Sequence, residues 1–189
     1  MRTPNLLVSL LVVGMAVTGC SQSKVIATPN APQPSAAARS AITLPLVSEN
    51  LGCAGTASFK VPAGWSVDRS TLVNPTTLMK ISAYCDNRSR YEAAQPGMAW
   101  TLDSVNRLVW DGVITNPAIQ VQPLKLGTAS ATRFAHASSG SWWLSENALI
   151  DNNYVTIEAE VSGAAPNAKL GKDLAKIFDS VQVSSHDVG

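Results

Sequence analysis

The chain has 189 residues, of which 46% are hydrophobic, 14% charged and 6% aromatic, and its 14 basic and 13 acidic side chains leave a net charge of +1. A soluble chain normally carries about a quarter charged residues, so this one is charge-poor, and its charges form no block of one sign, which excludes a nucleic-acid binder or a polybasic membrane-surface protein. No apolar run approaches the roughly 20 residues that span a bilayer, so a multi-pass membrane protein is excluded too, and the length fits one domain.

Residues 1–19 read as a signal peptide. Arg2 is the only early charge, and an apolar stretch follows from Leu6 to Val13, continuing through Gly14, Met15, Ala16 and Val17. That is a positive n-region and a short h-region. It ends in Val17-Thr18-Gly19-Cys20, which resembles the lipobox of bacterial lipoproteins. The resemblance implies cleavage between Gly19 and Cys20, diacylglycerol on the Cys20 thiol, and a lipid anchor on the extracytoplasmic face of the cell membrane. Each buried acyl methylene contributes about 0.8 kcal/mol, so two or three chains hold firmly.

Cys53 and Cys85 then remain as a pair on the oxidising side of the membrane. Neither lies in a C-x-x-C, and the two histidines, His136 and His186, are far along the chain. The expected outcome is a structural disulfide rather than a metal or redox site. No metal and no cofactor are expected.

Residues 20–41 form a tether. Its sequence from Ser21 to Ser40, SQSKVIATPNAPQPSAAARS, has no helical or strand periodicity and too little apolar surface to offset ordering, so it is expected to be disordered. Its r.m.s. reach is roughly 25 Å. Loss of Arg2 with the signal leaves the mature chain with equal numbers of acidic and basic side chains, so no field steers a partner to it.

A single globular domain is expected over residues 42–184, with a polar tail at 185–189. Phe59 and Val61 alternate with Ser58 and Lys60, and Pro62-Ala63-Gly64 turns the chain into a second strand at Trp65-Ser66-Val67. Leu78–Cys85 is another strand, with Ile81 and Ala83 on one face. After Pro96-Gly97, the apolar positions Met98, Leu102, Val105, Leu108 and Val109 predict a helix over Met98–Trp110. Four β-like segments follow. The first holds Ile119, Val121 and Leu126, and its Pro123 marks an edge or bulge. The others are Ala129–His136, Trp142–Ile150 and Tyr154–Val161. In the last, Val155, Ile157, Ala159 and Val161 alternate with Thr156, Glu158 and Glu160, which predicts one buried and one wet face in an antiparallel meander. Pro166-Asn167 opens a helix with the stripe Leu170, Leu174, Ile177, Phe178 and Val181, and a short strand, Val181-Gln182-Val183, closes the domain. The fold class is α+β: an antiparallel sheet with helices packed on it.

This layout resembles the PsbP-like α/β/α sandwich of small actinobacterial lipoproteins. The resemblance is carried by Phe59-Lys60-Val61-Pro62-Ala63-Gly64-Trp65, the mid-chain helix, the consecutive central strands, and Leu174-Ala175-Lys176-Ile177-Phe178-Asp179-Ser180-Val181. It covers most of residues 55–184. A Cys53–Cys85 bridge is not general in that family. The resemblance implies an accessory or binding module without a catalytic signature, and it transfers no functional residue.

The residues offer little catalytic machinery. No G-x-S-x-G, H-E-x-x-H, P-loop or G-x-G-x-x-G is present. His136 is the one candidate base for an envelope hydrolase or transferase. Glu158 and Glu160 share a strand face and read as solvated. The five tryptophans are more informative. Trp65 is expected in the core, while Trp100 and Trp110 belong to the first helix. Trp142 and Trp143 are adjacent on a strand, so one faces the core and the other must be covered by a helix or a ligand. Aromatic platforms suit sugars, apolar chains and protein hot spots. The sequence therefore favours a lipid-anchored, non-catalytic envelope module. It would bind a partner protein or an apolar or glycan ligand through some of Trp100, Trp110, Trp142 and Trp143.

Overall fold

A computed structural model describes residues 39–48, 52–163 and 165–188. The signal peptide, Cys20 and nearly all of the tether lie outside these. The described chain forms β1 (Ser40–Pro45), β2 (Cys53–Val61), β3 (Ser66–Asp68), β4 (Thr71–Asn74), β5 (Met79–Asn87), α1 (Arg88–Ala94), α2 (Leu102–Ile114), β6 (Gln122–Leu126), β7 (Ala129–Ser138), β8 (Ser141–Ile150), β9 (Asn153–Ser162), α3 (Ala168–Phe178) and β10 (Gln182–Asp187).

A seven-stranded antiparallel sheet has the order β3-β4-β5-β9-β8-β7-β6, and a three-stranded one has the order β1-β2-β10. Short turns join β7, β8 and β9 into the expected meander. At the first of them Ser139 and Gly140 both take positive φ, 53° and 77°, as a two-residue hairpin turn with the twist of its strands requires. β6, with Pro123, is an edge strand, as its missing N–H demands.

The front face of the large sheet carries the main core. Met79, Ile81, Ala83 and Cys85 of β5 and Val155, Ile157, Ala159 and Val161 of β9 meet Leu44, Phe59 and Val61 of the small sheet. Leu174, Ile177 and Phe178 of α3 complete it. The α3 stripe is the one its periodicity predicts, and Asn167 caps the helix by accepting the Leu170 N–H at 3.0 Å. The back face is covered by α1 and α2, where Tyr91, Val105 and Tyr154 form a second, smaller core.

A buried ion pair sits within the front layer. Glu146 is 1% exposed and accepts from Arg133 Nε at 3.0 Å and Nη2 at 2.8 Å. Arg133 also donates to Asp179 at the end of α3 at 2.9 Å and lies 5.7 Å over the Phe178 ring. Burial raises the Glu146 pKa, and the guanidinium opposes that rise.

Several boundaries differ from the sequence reading. The mid-chain helix begins at Leu102, not Met98, because Thr101 caps it by accepting the Ser104 N–H at 3.2 Å. It continues past Trp110, whose φ −122° and ψ 21° kink it. A short helix, α1, precedes it. It is held by Asn87 as N-cap and by the pairs Arg88–Glu92 and Arg90–Asp86, each at 2.6 Å. β1 begins at Ser40, inside the stretch read as tether. β10 runs to Asp187, into the stretch read as a polar tail, because it pairs with β2 from Gln182↔Ser58 to Asp187↔Cys53. There a Cβ on Gly55 would lie 2.0 Å from the Ser184 carbonyl oxygen, so only glycine permits the approach.

Cys53 of β2 and Cys85 of β5 are disulfide-bonded with a Cα–Cα distance of 6.0 Å, so the bridge ties the small sheet to the large one. The sequence separation is 32 residues, and a loop of that size contributes about 3–4 kcal/mol in the chain-entropy account. A Cys53→Ser/Cys85→Ser variant is expected to lose stability of that order in urea, read as a fall in midpoint against the oxidised protein.

Candidate functional site

Cross-strand partners share a face, so the register assigns the back of the large sheet row by row. His136 on β7 stands opposite Trp143 on β8, and Trp143 opposite Glu160 on β9. In the next row Phe134, Ser145 and Glu158 follow one another, with Ser82 of β5 beyond. The third row is Thr132, Asn147, Thr156 and Tyr84. Helices cover these rows, so the face expected to be wet is buried at its centre. Ser145 and Asn147 are fully buried and Thr156 nearly so.

Buried polar groups need partners, and here they form a chain. Trp110 Nε1 donates to the Tyr154 hydroxyl at 3.1 Å, which donates to Asn106 Oδ1 at 2.8 Å. Asn106 Nδ2 donates to the Thr132 hydroxyl at 2.9 Å, and Thr156 donates to Asn147 Oδ1 at 2.9 Å. α2 is thereby fixed over β7, β8 and β9 with the Trp110 ring at a defined place. Burial pushes the Tyr154 and Tyr91 hydroxyls well above their ordinary range, so both keep their protons as donors.

Trp110 closes one side of a recess of about 250 Å³ lined also by His136, Ser138, Ser139, Trp143 and Glu158. The His136 and Trp143 rings are nearly parallel, 10° apart with centroids at 6.4 Å. Trp110 meets His136 at 63° and 5.7 Å, and Phe134 edge-on at 5.3 Å. His136 Nε2 is buried without a hydrogen-bond partner. Burial lowers its pKa, which keeps the imidazole neutral at pH 7. The Glu158 carboxyl is pushed up by burial, an effect that the nearby Ser145 hydroxyl opposes and Glu160 adds to. Glu158 is therefore half-buried rather than fully solvated, because Trp110 lies beside it on that face of the sheet.

Trp110 and Glu158 also line a second recess of about 210 Å³, with Tyr84, Asp86, Arg90 and Tyr91. On the other flank of α2 lies a cleft of about 830 Å³ between that helix and β6–β7, lined by Leu102, Asn106, Ile114, Pro123, Leu124 and Thr132 among others.

The four tryptophans singled out from sequence are not brought to one place. Trp110 and Trp143 line the recess together. Trp142 faces the front and packs, half-buried, on the main core. Trp100 belongs to the second core, where its ring lies 5.8 Å from Tyr91 and Arg88 sits 5.8 Å over it. Trp65 packs against the main core, as expected. His186 is exposed on β10 of the small sheet and does not line the recess. The sequence reading takes Glu158 as solvated and gives Tyr154 no role, whereas Glu158 lines the recess and Tyr154 fixes Trp110; the signal available was a polar set on a strand whose covering helix had already been predicted.

The fold and this recess define an α+β protein with helices on its antiparallel sheet and an aromatic, carboxyl-bearing hollow beneath one of them. No family model matches the chain, and no curated protein matches it. Among solved structures it is similar to LpqN, described as involved in cell envelope biogenesis of Mycobacterium tuberculosis, with a TM-score of 0.42 and 13% identity over 76% of this chain and 91% of that one. It is also similar to a protein from Bacteroides thetaiotaomicron, with a TM-score of 0.33 and 14% identity over 68% of this chain and 45% of that one. Likenesses of this size carry no functional argument.

Two outcomes follow from the geometry. Tyr154→Phe removes the acceptor for Trp110 and the donor to Asn106, and is expected to cost about 1–3 kcal/mol; a shift of Trp fluorescence on mutation would report the freed indole. Glu158 holds its proton more tightly folded than unfolded. Its contribution to stability is therefore present at low pH and lost as pH rises from the ordinary carboxylate range through its raised value. Glu158→Gln is expected to flatten that part of the stability–pH curve, and thermal melts from pH 4 to 8 measure the difference from wild type.

Proposed function

We propose that the protein is a lipid-anchored, non-catalytic binding module on the extracytoplasmic face of the cell envelope, taking its ligand in the Trp110–Trp143 recess. The recess is the observation that carries the binding role: two tryptophans, a neutral imidazole and a half-buried carboxyl converge on one hollow. Aromatic faces with a few convergent polar groups are the usual make-up of a ligand site. The anchor rests on Val17-Thr18-Gly19-Cys20, with Cys20 as the acylated residue. The Cys53–Cys85 bridge supports an oxidising compartment, and the resemblance to PsbP-like actinobacterial lipoproteins points the same way. A ring-bearing group such as a glycan, an apolar group, or a partner's side chain fits such walls.

A second reading, an envelope hydrolase or transferase using His136, gains from the presence of Ser138, Ser139 and Glu158 in the same recess. Binding is favoured over it because His136 Nε2 has no hydrogen-bond partner, while the Ser138 and Ser139 hydroxyls face each other at 3.4 Å. A nucleophile is activated by a base bonded to it, and this arrangement supplies none.

Native mass spectrometry of the full-length protein from its host's membranes tests the reading. The expected species is acylated at Cys20, lacks two hydrogens for the Cys53–Cys85 bridge, and retains a bound mass that Trp143→Ala abolishes at unchanged melting temperature. An unacylated chain would refute the anchor, and a retained mass indifferent to Trp110→Ala and Trp143→Ala would move the ligand elsewhere. Loss of a hydrolytic activity in His136→Ala, with folding intact, would favour the second reading.

A further inference from the structure

We propose that the recess receives an organic ammonium group, held against the Trp110 and Trp143 rings with Glu158 as its counter-charge. The inference deepens the binding role argued above and rests on it. The recess of about 250 Å³ is smaller than the roughly 300–1,000 Å³ of a drug-sized site, so it takes a group rather than a whole molecule. Two indoles, Trp110 and Trp143, are among its lining residues; an indole ring attracts a cation to its electron-rich face, and the ligand class that aromatic cages recognise is an alkylated ammonium.

The charges around the hollow agree. No lysine or arginine lines it among the described residues. His136 faces it from β7, and its burial disfavours the charged form. Glu158 faces it from β9, with Glu160 two residues on and on the same face of the strand. Lys80 of β5 stands opposite Glu160 and does not line the recess. Arg90 of α1 lines the adjoining recess and pairs with Asp86 at 2.6 Å. From α2 only Trp110 lines the hollow. A half-buried acid with no lysine or arginine beside it in the recess is held back from ionising, and an incoming ammonium supplies a counter-charge. An anionic group in the same place would meet the Glu158 carboxyl and no lysine or arginine among the lining residues. A neutral sugar would find the stacking surface but leave Glu158 uncompensated.

The experiment is a calorimetric titration of the full chain with four probes: choline, its uncharged carbon isostere 3,3-dimethylbutan-1-ol, glucosamine and glucose. At least one ammonium probe is expected to bind about tenfold or more tightly than its neutral counterpart. Choline as the preferred probe would identify a quaternary ammonium, and glucosamine a primary amine. Affinity should rise with pH as Glu158 ionises, and Glu158→Gln should remove the preference for charge while Trp143→Leu weakens both members of the pair. Equal binding of charged and neutral probes would overturn the ammonium assignment, and so would binding of none, or a charge preference unchanged in Glu158→Gln. The comparison of isosteres on the wild-type chain decides the matter even if a variant fails to fold. Trp143-dependent binding of the neutral probes alone would sink this inference and leave the binding module standing. Failure of all four probes together with no ligand mass in the native spectrum would sink both.

Discussion

Strands β8 and β9 lie at the middle of the large sheet and are covered on both faces, and most of the architecture follows from that constraint. On the front, Ile157, Ala159 and Val155 meet the small sheet and α3 in an apolar core that needs no hydrogen bonds. On the back, the same strands present Ser145, Asn147, Tyr154, Thr156 and Glu158, each of which must find a partner or retain a cost. The chain from Trp110 through Tyr154 and Asn106 to Thr132 satisfies Tyr154 and locks α2 across the sheet, and Thr156 pairs with Asn147 Oδ1, while Ser145 Oγ and Asn147 Nδ2 stay without a partner among the described residues.

The recess is a by-product of the same arrangement. α2 kinks at Trp110, and the indole that caps the polar rows also forms a wall of the hollow beside His136 and Trp143. A wall fixed by a part-buried hydrogen bond is pre-organised, so the Trp110 ring needs little further ordering. The two cores contribute differently. The front core, tied by the Cys53–Cys85 bridge and by Arg133 reaching from Glu146 to Asp179, supports the sheet. The back core is smaller and more polar, and the recess lies beside it.

The readable parts of the fold were those in which local pattern and tertiary burial agree. The alternation in Tyr154–Val161 and the stripe from Leu170 to Phe178 placed β9 and α3 because each element turns an apolar set to one core. Pro123 marked an edge strand by its missing donor. The illegible parts were those in which polar residues form an element. α1 buries only Tyr91 and stands on a cap and two ion pairs. β1, and β10 beyond the closing strand read at Val181–Val183, are strands by virtue of pairing with β2, their own sequences being mostly small and polar. The same blindness hid the site: Glu158 reads as solvated from alternation alone, and becomes a recess carboxyl only because a helix lies on its face.

By itself, the amino-acid sequence determined the α+β class, the strand–helix order over most of the domain, and the cysteine pair, because periodicity and spacing act over a few residues. It also fixed that Trp142 and Trp143 must point to opposite faces, since adjacent side chains on a strand always do. Only the tertiary structure decided which of them faces the core, that Trp110 joins Trp143 while Trp100 does not, that Glu146 is buried and that Glu158 is half-buried. Those outcomes depend on strand register and on where a helix crosses the sheet. Both are set by contacts between residues tens of positions apart, which no local pattern encodes.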